Sequence, residues 1–288
     1  MSITAVVINF NAGKALHRCV AALVGSAVRP SILVVDNASS DGSAEQLRRL
    51  YGNQAGIEIR INPSNIGYAP AVNVAVKAST SELVLIINPD CVIGNKALGL
   101  MSAELEKNQL AALAAPYVIG SDGKFEKASL RRFPDPWNSL MTMTGLWRLG
   151  QWLPLFRGVP FNPQKLPVET ITADAVSGAC MLIRRNVLMD IGLLDEGYGL
   201  HCEDLDLMFR LKLAGWHCLF VPAASATHEQ GVSSRSRPFW VHRQKHLGMA
   251  RFFRKFQAQS HWLPVRWLVY SGIWARYLLM WPLVWLRK

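Results

Sequence analysis

Leu83-Val84-Leu85-Ile86-Ile87-Asn88-Pro89-Asp90 decides how this chain is read. Five consecutive apolar residues predict a strand buried on both faces, as in a parallel sheet covered by helices. The Asp90 carboxylate then stands just past the strand's carboxyl end, where open α/β sheets gather their ligands. One carboxylate there suits a divalent cation that bridges nucleotide phosphates. Asn-Pro-Asp after a strand is also an ordinary turn. The triplet therefore takes its meaning from the rest of the chain.

Working outward, apolar strands at 3–9, 31–36, 57–61 and 83–87 alternate with helical spacing at 14–26, 42–51, 68–79 and 95–107. Ala15, Leu16, Cys19, Val20 and Leu23 form one helical stripe, and Leu98, Met101 and Leu105 another. The alternation predicts an α/β fold with a helix-flanked sheet. Gly120-Ser121-Asp122-Gly123 reads as a hairpin tip. Residues 134–168, rich in Pro and Trp up to Pro163 and Pro167, are expected to make a mobile excursion over the sheet. A strand at 179–184, a helix at 203–214 and strands at 217–221 and 224–228 follow.

Half of the 288 residues are apolar and 18% are charged, a globular composition. The net charge of +11 favours an anionic partner without choosing among phosphates, nucleic acid and a lipid surface. Its source is local, since from Arg235 to Lys288 there is no acidic residue. Five cysteines without a CxxC pair read as reduced, buried thiols of the cytoplasm. No secretory signal is expected at the N-terminus, and no structural zinc site from the His and Cys spacing.

Several strand ends carry polar groups suited to a nucleotide. Asp36 closes Val34-Val35-Asp36, where a carboxylate can accept an imide N–H of uracil or thymine, or cap the next turn together with Asp41. Asn65 and Gly67 are turn formers before a helix start whose backbone amides can approach a diphosphate. Neither a Walker loop nor a GxGxxG fingerprint occurs. Glu203, Asp204 and Asp206 open a helix, where the dipole favours acids. The dipole does not explain three acids beside Gly197-Tyr198-Gly199, and a carboxylate there can serve as base toward a hydroxyl. Arg131-Arg132 and Arg184-Arg185 suit diphosphates and equally suit a solvated surface.

Taken in order, the segments Val34 to Ser43, Asn65-x-Gly67-Tyr68-Ala69-x-Ala71-x-Asn73, Asn88-Pro89-Asp90, Ser177 to Arg185, Glu203-Asp204-Leu205-Asp206-Leu207-x-x-Arg210 and His228-x-x-Gly231-x-Ser233 resemble the family 2 glycosyltransferases. In particular they resemble the bacterial rhamnosyltransferases of cell-surface polysaccharide synthesis, over residues 1 to about 258. The resemblance implies a GT-A type nucleotide-sugar-binding mixed sheet and an inverting transfer. On it, residues 1–238 are the catalytic domain, with a nucleotide-sugar half (1–120) and an acceptor half (121–238), and residues 239–288 are an extension.

The resemblance also assigns roles. Asp36 matches the base-binding aspartate, and Asn9, Asn11, Asn65, Gly67, Asn73 and Asn88 join it around the nucleotide sugar. Asp90 matches the metal-binding aspartate of a DxD motif whose first position is Asn88 here. His228 completes a site for Mg²⁺ or Mn²⁺. Asp204 is the base and Glu203 orients the acceptor. Gly178, Ala179 and Asp206 belong to the acceptor side, Asp206 as a buttress of the loop. The implied reaction moves L-rhamnose from dTDP-L-rhamnose to a polyprenyl-diphosphate-linked saccharide, as in O-antigen synthesis, at the cytoplasmic face of the inner membrane. Another UDP, GDP or dTDP sugar, or sugar nucleotidyl transfer, are the alternatives. Nucleic-acid binding is not expected, because the aromatics cluster in the tail instead of a basic groove.

The C-terminal residues are read on their own. Helix 239–256 mixes Trp240, Leu247, Met249, Phe252, Phe253 and Phe256 with Arg243, Lys245, Arg251, Arg254 and Lys255, the composition of an interfacial amphipathic helix. The aromatic tail 262–286 is interrupted by Arg276 and Pro282. Both features predict peripheral binding to the membrane surface without a span.

Overall fold

The computed structural model describes residues 1–161, 166–232 and 237–286. Pro163, Ser233, Arg235, Arg287 and Lys288 lie outside the described residues.

The first half alternates β1 (Ile3–Asn9), α1 (Lys14–Val24), β2 (Ser31–Asp36), α2 (Ser43–Tyr51), β3 (Ile57–Ile61), α3 (Tyr68–Ala78), β4 (Leu83–Ile87), β5 (Cys91–Ile93), α4 (Ala97–Lys107) and β6 (Ala111–Gly120). Then come β7 (Leu130–Arg131), α5 (Pro136–Thr144), β8 (Ile171–Ala173), β9 (Ala175–Val176), β10 (Cys180–Arg184), α6 (Arg185–Asp190), α7 (Glu203–Leu213), β11 (His217–His228), α8 (Pro238–Phe256) and α9 (Leu263–Leu286). The Pro/Trp-rich stretch supplies α5 and two short 3-10 turns, Leu146–Gln151 and Pro154–Phe156.

The sheet runs in the order β3-β2-β1-β4-β10-β6-β11-β5, with β8 added beside β11. β3, β2, β1 and β4 are parallel, and β10 inserts antiparallel between β4 and β6. This makes a mixed α/β sheet flanked by helices. β4 lies at the change from parallel to antiparallel and is buried along its whole length, which accounts for its unbroken apolar run. One face packs against α3, α6, α7 and α8, the other against α1 and α4. The stripe on α1 is buried as its spacing predicts. All five cysteines are buried free thiols.

Two strands expected at 217–221 and 224–228 are one strand. β11 follows β6 in parallel along both stretches, with a register irregularity between Val221 and Ser225 that absorbs the break in the pattern. β6 itself escaped the sequence reading, because Ala111-Ala112-Leu113-Ala114-Ala115 carries little β preference. Burial in mid-sheet overrides that propensity.

α8 departs from the interfacial helix expected of its composition. Phe252 and Phe253 are buried, and Phe252 edge-on and Phe256 tilted pack on Phe209 of α7 with ring centroids 5.5 and 4.6 Å apart. Arg251 and Lys255 reach inward to Asp195, and Lys255 also binds Asp206. An apolar arc edged by cations satisfies a protein core with acidic neighbours as readily as it satisfies a lipid surface, and here the protein supplies the partner. α9 packs on α8 through Phe253 against Tyr270 and His242 stacked on Tyr277. Its other side leaves Trp262, Trp267, Leu268, Leu278 and Leu279 exposed. Among the described residues no helix is long and apolar enough to cross a membrane.

Candidate active site

Parallel register sets the first group of polar residues side by side. Asn9 pairs with Asp36 at the ends of β1 and β2, and β4 ends next to them. The rim predicted from the Leu83–Ile87 run is therefore where Asp36 and Asn88 to Asp90 meet.

The residues at this rim differ in how free they are. Asp36 is buried and accepts hydrogen bonds from Asn9 Nδ2 at 2.6 Å, Ser39 Oγ at 2.6 Å and Ser39 N at 2.9 Å. Three bonds leave a carboxylate room for one more donor. Asn9 has no exposed surface, and its amide ties Asp36 to Ser39 and Ser43, so it reaches a ligand only through these neighbours. Asn11, in the left-handed region at φ 51°, accepts from Ser40 N. Asn65 accepts from Gly67 N, closing the turn before α3. Asn73 donates to Leu194 O and Glu196 and accepts from Leu194 N, so both its amide hydrogens fasten the segment after α6.

β5 returns antiparallel to β11 and pairs His228 with Cys91, which brings the imidazole to Asp90. His228 Nε2 lies 3.2 Å from Asp90 Oδ1, and Nδ1 lies 2.9 Å from Glu126 Oε2. Burial opposes the imidazolium, but the bonds to Asp90 and Glu126 outweigh it and lift His228 to about 10. Burial also pushes Asp90 up, and the His228 bond and the Val232 N–H bring it below its ordinary value. Sequence reasoning missed Glu126, which the hairpin after β6 delivers from 102 residues away.

The donor chemistry here fits a divalent cation. A carboxylate oxygen and an imidazole nitrogen face each other, and the second ring nitrogen is fixed by a carboxylate, the usual support of a metal-ligating histidine. Among the described residues there is no group of three or more His, Cys, Asp or Glu that could hold a metal.

The second group forms where α7 begins. Cys202 N-caps the helix at φ 71°, after His201 at φ 68°. Two consecutive non-glycine residues in the left-handed region are strained and mark a segment held by its surroundings. Asp204 Oδ2 accepts from Arg131 Nη2 at 2.7 Å, and Arg131 also donates to Val176 O. The β7–β9 pairing of Arg131 with Ala175 puts it there. The arginine pair read in sequence as suited to a diphosphate or to a solvated surface is thus split: Arg131 holds Asp204, while Arg132 binds Gly158 O and stacks on Phe161. Arg184 and Arg185 bind backbone carbonyls of Ala111, Leu105 and Val76.

Glu203 is buried, and its Oε2 has no partner. Burial first, then the charge of Asp204, raise it to about 8 against the pull of Arg131, so it is protonated at neutral pH. Asp206 has no exposed surface and is held by Arg210, Tyr198 and Lys255. It is a buttress joining α7, α8 and the 195–198 loop, and the acceptor-side assignment gives way to that role. Tyr68 donates to Asn88 Oδ1 at 3.3 Å. Its hydroxyl is pushed up by burial and by the charges of Glu203, Asp204 and Asp90.

Gly178 is where the strand-end loop meets the helix. A Cβ there would stand 2.8 Å from Asp204 Cβ and 2.9 Å from its Oδ2, with Ala179 buried beside it. On the base role that the sequence resemblance implies for Asp204, Gly178→Ala should displace its carboxylate and lower kcat about 10- to 100-fold, as misplacement of a reacting group does. Steady-state kinetics on the folded variant checks this, and an unaltered kcat would mean that Asp204 need not sit where the structure puts it.

A family model described as glycosyl transferase family 2 matches residues 4–192, and one described as glycosyltransferase-like family 2 matches residues 164–248. The chain belongs to glycosyl transferase family 2. This glycosyltransferase is 28% identical to the N-acetylglucosaminyl-diphospho-decaprenol L-rhamnosyltransferase of Mycobacterium tuberculosis, over 96% of this chain and 91% of that one. It is 27% identical to rhamnosyltransferase WbbL of Escherichia coli over 71% of this chain and 75% of that protein. The mannosyltransferase PcManGT of Pyrobaculum calidifontis, solved with GDP-Man and Mn2+, shares the fold. Its TM-score is 0.61 at 14% identity, over 99% of this chain and 73% of that one.

Proposed function

We propose that this glycosyltransferase moves L-rhamnose from dTDP-L-rhamnose, with inversion, onto a polyprenyl-diphosphate-linked saccharide at the cytoplasmic face of the inner membrane. The observation that carries this reading is the likeness of nearly the whole chain, C-terminal helices included, to an enzyme named for a diphospho-decaprenol acceptor. The division at residue 238 into catalytic domain and extension belongs to the same proposal.

In this reading Asp36 and the 36–43 turn receive the base, and the Asn65–Gly67 turn faces the diphosphate. Asp90 and His228 would hold a divalent cation, Mg²⁺ or Mn²⁺, which when bound supplies positive charge beside the diphosphate. Asp204 Oδ takes the proton of the acceptor hydroxyl as that oxygen bonds to the anomeric carbon and the bond to the diphosphate oxygen breaks. Arg131 fixes the direction of the Asp204 carboxylate. Protonated Glu203 donates a hydrogen bond to the acceptor, the use open to a buried carboxyl without a partner. Gly178 leaves the space in which Asp204 and the hydroxyl approach.

The membrane part of the proposal now rests on α9. Its exposed Trp262, Trp267, Leu268, Leu278 and Leu279 give an apolar side with aromatics suited to the headgroup region. Replacing Leu268 and Leu279 by Glu should release the protein from anionic liposomes in a flotation assay and leave its melting temperature unchanged. Equal flotation of both proteins would refute the assignment. The transfer itself is tested by incubating the protein with dTDP-L-rhamnose, UDP-GlcNAc and GDP-mannose in turn, with a polyprenyl-diphosphate-linked N-acetylglucosamine as acceptor. Rhamnosyl product from the dTDP donor is expected, and turnover of another donor in its place would overturn the rhamnose assignment.

A further inference from the structure

α8 lies against the residues that lead into Asp204. A Cβ on Gly248 would stand 2.9 Å from His201 O and 3.2 Å from Cys202 Sγ, so the helix abuts the strained pair at the start of α7. Lys245, almost one turn earlier on α8, is solvent-exposed and pairs with no carboxylate among the described residues. Arg276 of α9 has His246 Nε2 as its neighbour at 3.1 Å, and no carboxylate either.

His246, the neighbour of Lys245 in α8, is the residue Arg276 touches, which brings the two cations to one junction. Crowding by protein, then the charges of Arg276 and Arg131, push Lys245 below its ordinary value. Crowding and the charges of Lys245 and Arg131 likewise push His201 down, against the pull of Asp204. The acids nearby do not balance them, because Asp204 is committed to Arg131 and Glu203 is protonated at neutral pH. Unpaired like charges held together in a folded protein raise its free energy until an anion joins them.

The position narrows the anion. Arg276 lies on α9, whose outer side is apolar, and Lys245 lies on the helix that abuts the segment before Asp204. A molecule with a lipid chain at α9, phosphate at the cations and a sugar hydroxyl at Asp204 satisfies all three. We infer that Lys245 and Arg276 form a clamp for the diphosphate of a prenyl-diphosphate acceptor at the α8–α9 junction. The inference rests on the acceptor class proposed above and deepens it, since neither residue falls in the motifs that carry the family resemblance.

The test separates the clamp from the transfer reaction. Farnesyl diphosphate binding to the full chain is measured by tryptophan fluorescence, with the donor pocket filled by saturating nucleoside diphosphate. Farnesyl β-glucoside, which lacks phosphate, serves as control. Lys245→Gln and Arg276→Gln should each weaken farnesyl diphosphate binding roughly tenfold or more, the scale of a lost charge-assisted hydrogen bond, and leave farnesyl β-glucoside binding alone. Equal weakening of both probes, or of neither, overturns the clamp. If the variants instead lose only their affinity for phosphatidylglycerol vesicles, the cations serve a phospholipid headgroup and the proposal fails. Lys245→Gln changes an exposed side chain, so its result stands even if Arg276→Gln is poorly folded. Binding is read without turnover, so a failed rhamnosyl transfer assay would not be mistaken for a failed clamp.

Discussion

Asp204→Asn should lower kcat about 10²- to 10⁴-fold with donor affinity nearly intact, the loss expected when a general base is replaced by its amide. The amide keeps the size, and with it the packing against Gly178, but the carboxylate that accepts from Arg131 and is proposed to take the proton is gone. Measured as kcat and donor KM separately, a variant that keeps more than about half the wild-type rate would move the base elsewhere. Glu203 offers the contrasting result. Raised to about 8, it would serve the proposed acceptor contact in its protonated form, so activity should fall as pH rises through 8. Glu203→Gln should retain activity at neutral pH and lose that alkaline fall. Stability follows the same sign. From its ordinary value of 4.5 up to about 8 the unfolded chain ionises Glu203 while the folded protein does not, so stability declines across that window as pH rises. Glu203→Gln should remove that part of the decline, and thermal melts at pH 5 and pH 8 will show whether it does.

Asp90→Ala should cost at least about 10²-fold in kcat, the scale on which stabilisation of developing charge is lost. In the folded chain it also removes the partner of His228 Nε2 and the acceptor of the Val232 N–H, so the end of β11 should loosen. A chelator should inhibit the native protein, with activity restored by Mn²⁺ or Mg²⁺. Isothermal titration of Mn²⁺ into protein with nucleoside diphosphate gives a readout without turnover, and its heat should vanish in Asp90→Ala. Full activity in excess chelator would remove the cation from the reaction and leave charge stabilisation to the protein's own cations.

The sequence alone determined the first half of the fold closely. Strands 3–9, 31–36 and 83–87 stand where apolar runs put them, because a strand buried on both faces cannot be built from other residues, and 57–61 stands at the sheet edge, where its isoleucines alternate with Glu58 and Arg60. It also marked the rim residues and the acids of α7, since strand ends and helix starts are local features with local signals. What tertiary structure decided is what those residues touch. Glu126 meets His228, Arg131 meets Asp204, and Asp206 meets Lys255 across 102, 73 and 49 residues of chain. No periodicity records such meetings, because they arise from strand order and hairpin geometry. The same holds for α8. Its amphipathic composition fixed that one face must be buried, but only the position of Phe209, Asp195 and Asp206 decided that protein, not lipid, buries it. Burial energy depends on area removed from water and is indifferent to which apolar surface removes it, so the sequence pattern names the face and the fold names the partner.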